Sequence, residues 1–180
     1  MLADPAEWLE ELYHHIQAID GKHVIAMAYS SIWGDHTGGP CTWPWCKYVN
    51  STDILMPDMG YPVDASPLDN DVSMSLSVPV MTNRIGQAVS NAVDHITRYY
   101  QGNKAVWLVA QAFGAVETHP RSPTPGEVRA MAYSALVRGA SGVFFFNHAD
   151  DSRGKTVVHS QSLWVELATA DFFCCTPFSL

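Results

Sequence analysis

The chain is short of charge: 16% of its 180 residues are Asp, Glu, Lys or Arg, while 47% are apolar. Disordered chains show the reverse balance, so this one folds around a core. Cations are scarcest, ten against eighteen acids for a formal net charge of −8, and they are scattered. Phosphate backbones and anionic membrane surfaces need clustered cations, which argues against nucleic acid and membrane as partners. No apolar run reaches the roughly 20 residues that span a bilayer. The N-terminus, Met1-Leu2-Ala3-Asp4-Pro5, lacks the basic and then apolar pattern of a signal peptide. Gly-x-Gly-x-x-Gly, phosphate-loop and Gly-x-Ser-x-Gly elements are absent too, so neither a nucleotide cofactor nor serine-hydrolase chemistry is expected. No metal is expected either: His36, Cys41 and Cys46 match no zinc spacing and have no fourth ligand close by.

What is present is a repeat of helix, glycine and strand. Asp4-Pro5-Ala6-Glu7 starts a helix, with Asp as N-cap, and Leu9, Leu12, Tyr13, Ile16 and Ile19 give it an apolar face. After Gly21 comes the strand Val24–Tyr29, a continuous apolar run of the kind covered on both faces in parallel sheets. An irregular stretch, 30–51, leads to a second strand, Asp53–Asp58, and a second long loop, 59–82. Ile85, Val89, Ala92, Val93, Ile96 and Tyr100 mark the next helix, Gly102 ends it, and a third strand runs from Ala105 to Phe113. Thr124-Pro125-Gly126-Glu127 caps a helix that buries Val128, Met131, Ala132, Ala135 and Leu136; Gly139 leads to a fourth strand, Gly142–Phe146. Leu163, Trp164 and Leu167 suggest a final helix.

Turns from helix to strand are short and loops from strand to helix are long. Right-handed crossovers bring those long loops to one edge of the sheet, the asymmetry of a (β/α) barrel. The expected class is α/β with parallel strands, a partial (β/α)8 barrel of about four βα units, since a closed barrel needs eight strands. Residues 1–170 form this domain, and 171–180, with Cys174 and Cys175, are an irregular apolar tail.

The segment Thr52-Asp53-Ile54-Leu55-Met56-Pro57-Asp58-Met59-Gly60-Tyr61-Pro62 resembles the sixth strand of a group of glycoside hydrolase-like (β/α)8 barrels. Trp107–Phe113 resembles their seventh strand, the helix after Pro123 the one that follows it, and Gly139–Phe146 their eighth strand. The likeness covers about residues 4–168 and is strongest in the second half. It implies that this chain is the C-terminal half of such a barrel. It also implies an acidic residue at the end of strand four, where this chain has Met1-Leu2-Ala3.

Glycoside hydrolysis uses two carboxyl groups flanking the bond. Asp58, at the C-terminal end of its strand, is the candidate catalytic acid; its competing role is to bind amides of the turn that follows. Gln111 stands where related barrels often place a nucleophilic Glu; an amide cannot attack, but it can bind sugar hydroxyls. Asn147 and His148 follow the fourth strand as candidate substrate contacts. Tyr29, Trp33 and Tyr61, with Trp43 and Trp45, are candidate stacking rings on the same edge, or cover for the loops themselves.

Cys41 and Cys46 flank Thr-Trp-Pro-Trp as a candidate disulfide, and Asn50-Ser51-Thr52 fits a glycosylation acceptor. Together they suggest an extracellular parent protein with a leader upstream of this chain. Carbohydrate is the expected ligand, and unpaired strand edges allow self-association. The alternatives are a non-catalytic sugar-binding pseudo-enzyme and a truncated gene product.

Overall fold

The computed structural model describes residues 5–29, 44–58, 78–114, 121–146 and 155–156. In chain order these form α1 (Pro5–Ile19), β1 (Ala26–Tyr29), a 3-10 helix (Pro44–Ser51), β2 (Ile54–Pro57), α2 (Val78–Tyr100), β3 (Ala105–Gln111), β4 (Phe113–Gly114), α3 (Pro125–Val137), β5 (Gly142–Phe146) and β6 (Lys155–Thr156). Four strands form one parallel sheet in the order β1-β2-β3-β5, so strands consecutive in this sheet are neighbours in space. This is the arrangement of successive barrel strands. The short β4 and β6 pair antiparallel beyond the end of β3.

A strand's period of two divides the sheet into a helix side and an inner side. On the helix side Leu55, Val106, Leu108 and Ala110 meet Val89, Ala92 and Ile96 of α2 and Val128, Met131 and Ala135 of α3. Leu55 and Leu108 are fully buried there, each worth about 1.5–3 kcal/mol of apolar transfer. The inner side carries Ile54, Met56 and Val109, packed with Ala105 and Trp107. Gly102 and Gly139 end α2 and α3 with φ of 72° and 96°, a left-handed conformation that L side chains rarely adopt.

The N-terminal end of the sheet is tied together by Asp53. Its carboxylate accepts from Tyr13 Oη at 2.6 Å, Gln17 Nε2 at 3.1 Å and the Ile25 amide at 2.8 Å, joining α1 to the start of β1. Burial pushes this carboxyl up, but the Ile25 amide, the Tyr13 hydroxyl and the Lys104 charge outweigh it and hold it below its usual range. The same contact raises the Tyr13 hydroxyl to about 12. Lys104 bridges onward, donating from Nζ to Thr52 O at 2.6 Å.

Several sequence expectations are corrected. The helix expected around Ile85 begins at Val78, inside the expected loop, where Pro79 in the first turn removes no intrahelical hydrogen bond. The irregular stretch before β2 holds a 3-10 helix over Pro44–Ser51. The strand expected from Val24 begins at Ala26 and is covered on one face only, since Ala26 and Ala28 on the inner side are exposed. β3 stops at Gln111, and Phe113 belongs to β4. On α1, Trp8, Leu12, Ile16 and Ile19 stay exposed, so its apolar face is not sealed among the described residues. The expected final helix and the apolar tail lie outside the described residues.

Gly142 lies directly under the Trp107 indole, where a Cβ would come within 2.8 Å of three ring atoms. Gly142→Ala should therefore destabilise the fold by about 1–3 kcal/mol through overpacking. In urea this reads as a lower midpoint with an unchanged slope; an unchanged midpoint would show that the indole moves freely.

Candidate active site

The C-terminal edge of the sheet is set by register. Ile54 pairs with Ala105 and Leu55 with Val106, so Asp58 arrives beside Val109, where a parallel bridge forms. The Asp58 amide donates to Tyr29 O at 2.9 Å, which holds the end of β2 against β1. Asp58 has the parity of Ile54 and Met56, and Gln111 that of Trp107 and Val109, so both belong to the inner side. They sit on adjacent strands, two residues apart in register. Strand rise and spacing put their Cα atoms roughly 8 Å apart.

Gln111 is completely buried, and its Nε2 donates to Phe113 O at 3.0 Å. Its neighbour in register is Phe146, whose ring meets Phe113 edge-on at 5.7 Å. Ala112 N donates to Phe146 O at 2.6 Å and extends the β3–β5 pairing one step further. Asp58 is half-buried, and among the described inner-side strand positions it is the one acid. The described edge thus carries one half-buried carboxyl group, Asp58, and one amide, Gln111, that is closed to solvent and so is not a surface for a ligand, against the sequence expectation.

Beyond β3 the chain is held by two devices. Gly114 lies so close to the Arg121–Ser122 backbone that a Cβ would come within 2.0 Å of it. Arg121 then forms a two-pronged pair with Glu127, Nη1 to Oε2 and Nη2 to Oε1, both at 2.8 Å. Glu127 also closes the capping box of α3, accepting from the Thr124 amide at 2.7 Å, while the Glu127 amide donates to Thr124 Oγ1 at 3.3 Å. The Thr124 cap was legible in sequence. Arg121 was not, although a basic residue six positions ahead of a capping Glu is a usable signal.

Tyr29 ends β1 at the same edge but faces the helix side. Its ring stacks on Tyr48 at 6.1 Å, its hydroxyl donates to Tyr48 O at 3.0 Å, and burial pushes that hydroxyl's pKa up. It is a core residue in this fold. Cys46 is buried on that side too, its Sγ 3.9 Å from His95 Nδ1, whose pKa is lowered first by burial and then by Arg98. Trp33, Cys41, Tyr61, Asn147 and His148 lie outside the described residues. Among the described residues no group of three or more His, Cys, Asp or Glu could hold a metal ion.

The Glu127 carboxyl is held at about 2 by Arg121, against the opposing effect of burial and with help from Thr124. A depressed carboxyl stabilises the fold above its unfolded pKa, and that stabilisation is lost as pH falls through the folded one. Stability should therefore drop between the ordinary Glu value of 4.5 and about 2. Glu127→Gln should remove about 1–2 kcal/mol of it, an amount reduced because Arg121 is open to solvent. Thermal melts of both proteins from pH 6 to 2 check this; parallel curves would show that Glu127 does not carry the dependence.

The family model described as beta-galactosidase (glycoside hydrolase 42) matches residues 46–171. No curated protein matches the chain in sequence. Among solved structures, the chain is similar to a beta-galactosidase from the haloarchaeon Halorubrum lacusprofundi, at TM-score 0.59 and 16% identity over 86% of this chain and 22% of that one. It is similar to an endo-1,4-beta-D-mannanase from Thermotoga petrophila, at 0.52 and 16% over 93% and 51%. It is also similar to bee venom hyaluronidase, at 0.56 and 12% over 93% and 50%. At these identities the likeness shows the fold, and the chain spans from about a fifth to half of those structures.

Proposed function

Since this chain belongs to the beta-galactosidase family of glycoside hydrolases, we propose that it forms the C-terminal half of a barrel that binds and cleaves β-galactosides. One observation carries the reading: Asp58 and Gln111 share the inner side at the C-terminal edge of adjacent parallel strands. That edge is where barrel enzymes place their chemistry. Asp58 acts as the acid or base at the glycosidic oxygen, and Gln111, buried and donating to Phe113 O, holds the end of β3 behind the sugar site. The same proposal gives Trp33 and Tyr61 the role of rings that stack on the sugar, and Asn147 and His148 that of contacts to its hydroxyls.

Cleavage takes two carboxyl groups, and the reading draws the second from outside these 180 residues, so the chain alone is inactive. A second reading, a non-catalytic galactoside binder, is favoured by Gln111, an amide where the family resemblance implies a nucleophilic Glu. The same proposal includes an extracellular parent protein. It also includes pairing of Cys46 with Cys41.

An aryl β-galactoside assay of this chain beside one extended on its N-terminal side tests the first reading. Activity is expected in the extended chain alone, and Asp58→Asn should lower its kcat/KM by about 100-fold or more. Equal activity in both chains removes the missing partner, and galactoside binding by calorimetry without turnover in either favours the second reading.

The half-barrel should also associate with itself. Among the described residues β1 and β5 each pair with one strand, and Phe144 and Phe146 of β5 are 49% and 43% exposed. Sedimentation should show a dimer of this chain, and a monomer at all concentrations removes the idea.

A further inference from the structure

We propose that Asn50 carries an N-linked glycan, and that the glycan is attached before β2 pairs with β1. Asn50-Ser51-Thr52 is the chain's single Asn-x-Ser/Thr tripeptide without a central proline. Three letters alone say little, and the fold adds what is needed. Asn50 is exposed in the last turn of the 3-10 helix. Its Oδ1 accepts from Tyr100 Oη at 3.0 Å, which orients the amide. Nδ2, the nitrogen that bears the sugar, makes no hydrogen bond among the described residues. A glycosylated amide keeps its carbonyl oxygen, so the Tyr100 contact survives modification.

The other two residues of the tripeptide are sealed. Thr52 is fully buried, its hydroxyl shared between Ile25 O at 2.9 Å and Ile54 O at 2.7 Å, and Ser51 is buried beside it. The Ile25 contact belongs to the β1–β2 junction, where the Asp53 and Ile54 amides also donate to Ile25 O. A transferase that reads the threonine hydroxyl cannot reach it once these strands have paired. The reaction therefore belongs to the unfolded chain. The C1–O bond of a lipid-diphosphate-linked oligosaccharide breaks and the diphosphate leaves with the electron pair. A C1–Nδ2 bond forms, and one Nδ2 proton passes to a base of the transferase.

Folding then leaves the glycan at the N-terminal end of β2, opposite the edge that holds Asp58. The proposal does not rest on the sugar-cleaving reading, and it stands if that reading fails.

The test translates the full chain, behind an appended secretory leader, in the presence of endoplasmic reticulum microsomes. One endoglycosidase-sensitive mass increment on the Asn50 peptide is expected. It should vanish in Asn50→Gln, which keeps an amide for Tyr100, and in Thr52→Ala. No increment in the unaltered chain, or one that persists in Asn50→Gln, overturns the site. For the timing, the folded chain is offered to solubilised transferase and lipid-linked oligosaccharide beside a peptide of residues 46–56. Modification of the folded chain should be roughly tenfold slower or more, since it waits on local unfolding. Equal rates overturn the order of events.

Discussion

Strand β3 has a parallel neighbour on each side and is buried through most of its length, so consecutive residues must satisfy two different surroundings. Val106, Leu108 and Ala110 fill the layer against α2 and α3, while Trp107 and Val109 point to the inner side. The indole of Trp107 lies where any side chain at residue 142 would have to go, and this couples β3 to β5 through a glycine. Once that pleat is set, the next inward position on β3 is Gln111, and the register with β2 carries Asp58 to the same edge. The site follows from strand geometry.

The two ends of the sheet do different work. At the N-terminal end Asp53 gathers Tyr13, Gln17 and the Ile25 amide, Lys104 reaches Thr52, and α1 is fastened to the strands by polar contacts while much of its apolar surface stays open. At the C-terminal end the Arg121–Glu127 pair and the Thr124 cap hold α3 close behind β3, so the buried Gln111 sits on a fixed frame. A surface modification at Asn50 and sugar chemistry at Asp58 can therefore coexist in one molecule.

Much of this was legible in residue order because it rests on local rules. The apolar runs at Ile54–Met56 and Val106–Ala110 could only be covered strands, and Thr124-Pro125-Gly126-Glu127 could only open a helix. Gly102 and Gly139 marked the turns that need positive φ. Other features escaped because no local rule governs them. Tyr29 looks like a binding-site ring by position, yet its parity on β1 sends it to Tyr48. Arg121 looks like a loop cation until the chain folds back across Gly114.

By itself the sequence determined the α/β class, the parallel strands and the edge at which polar residues gather, since hydrophobic period, caps and glycine turns act over a few residues. Only the tertiary structure decided which side each strand residue faces, which polar groups meet across the sheet, and which of Asn50, Ser51 and Thr52 remains open to solvent. Those outcomes depend on register and crossover between segments dozens of residues apart, and the residues themselves do not encode that pairing one position at a time.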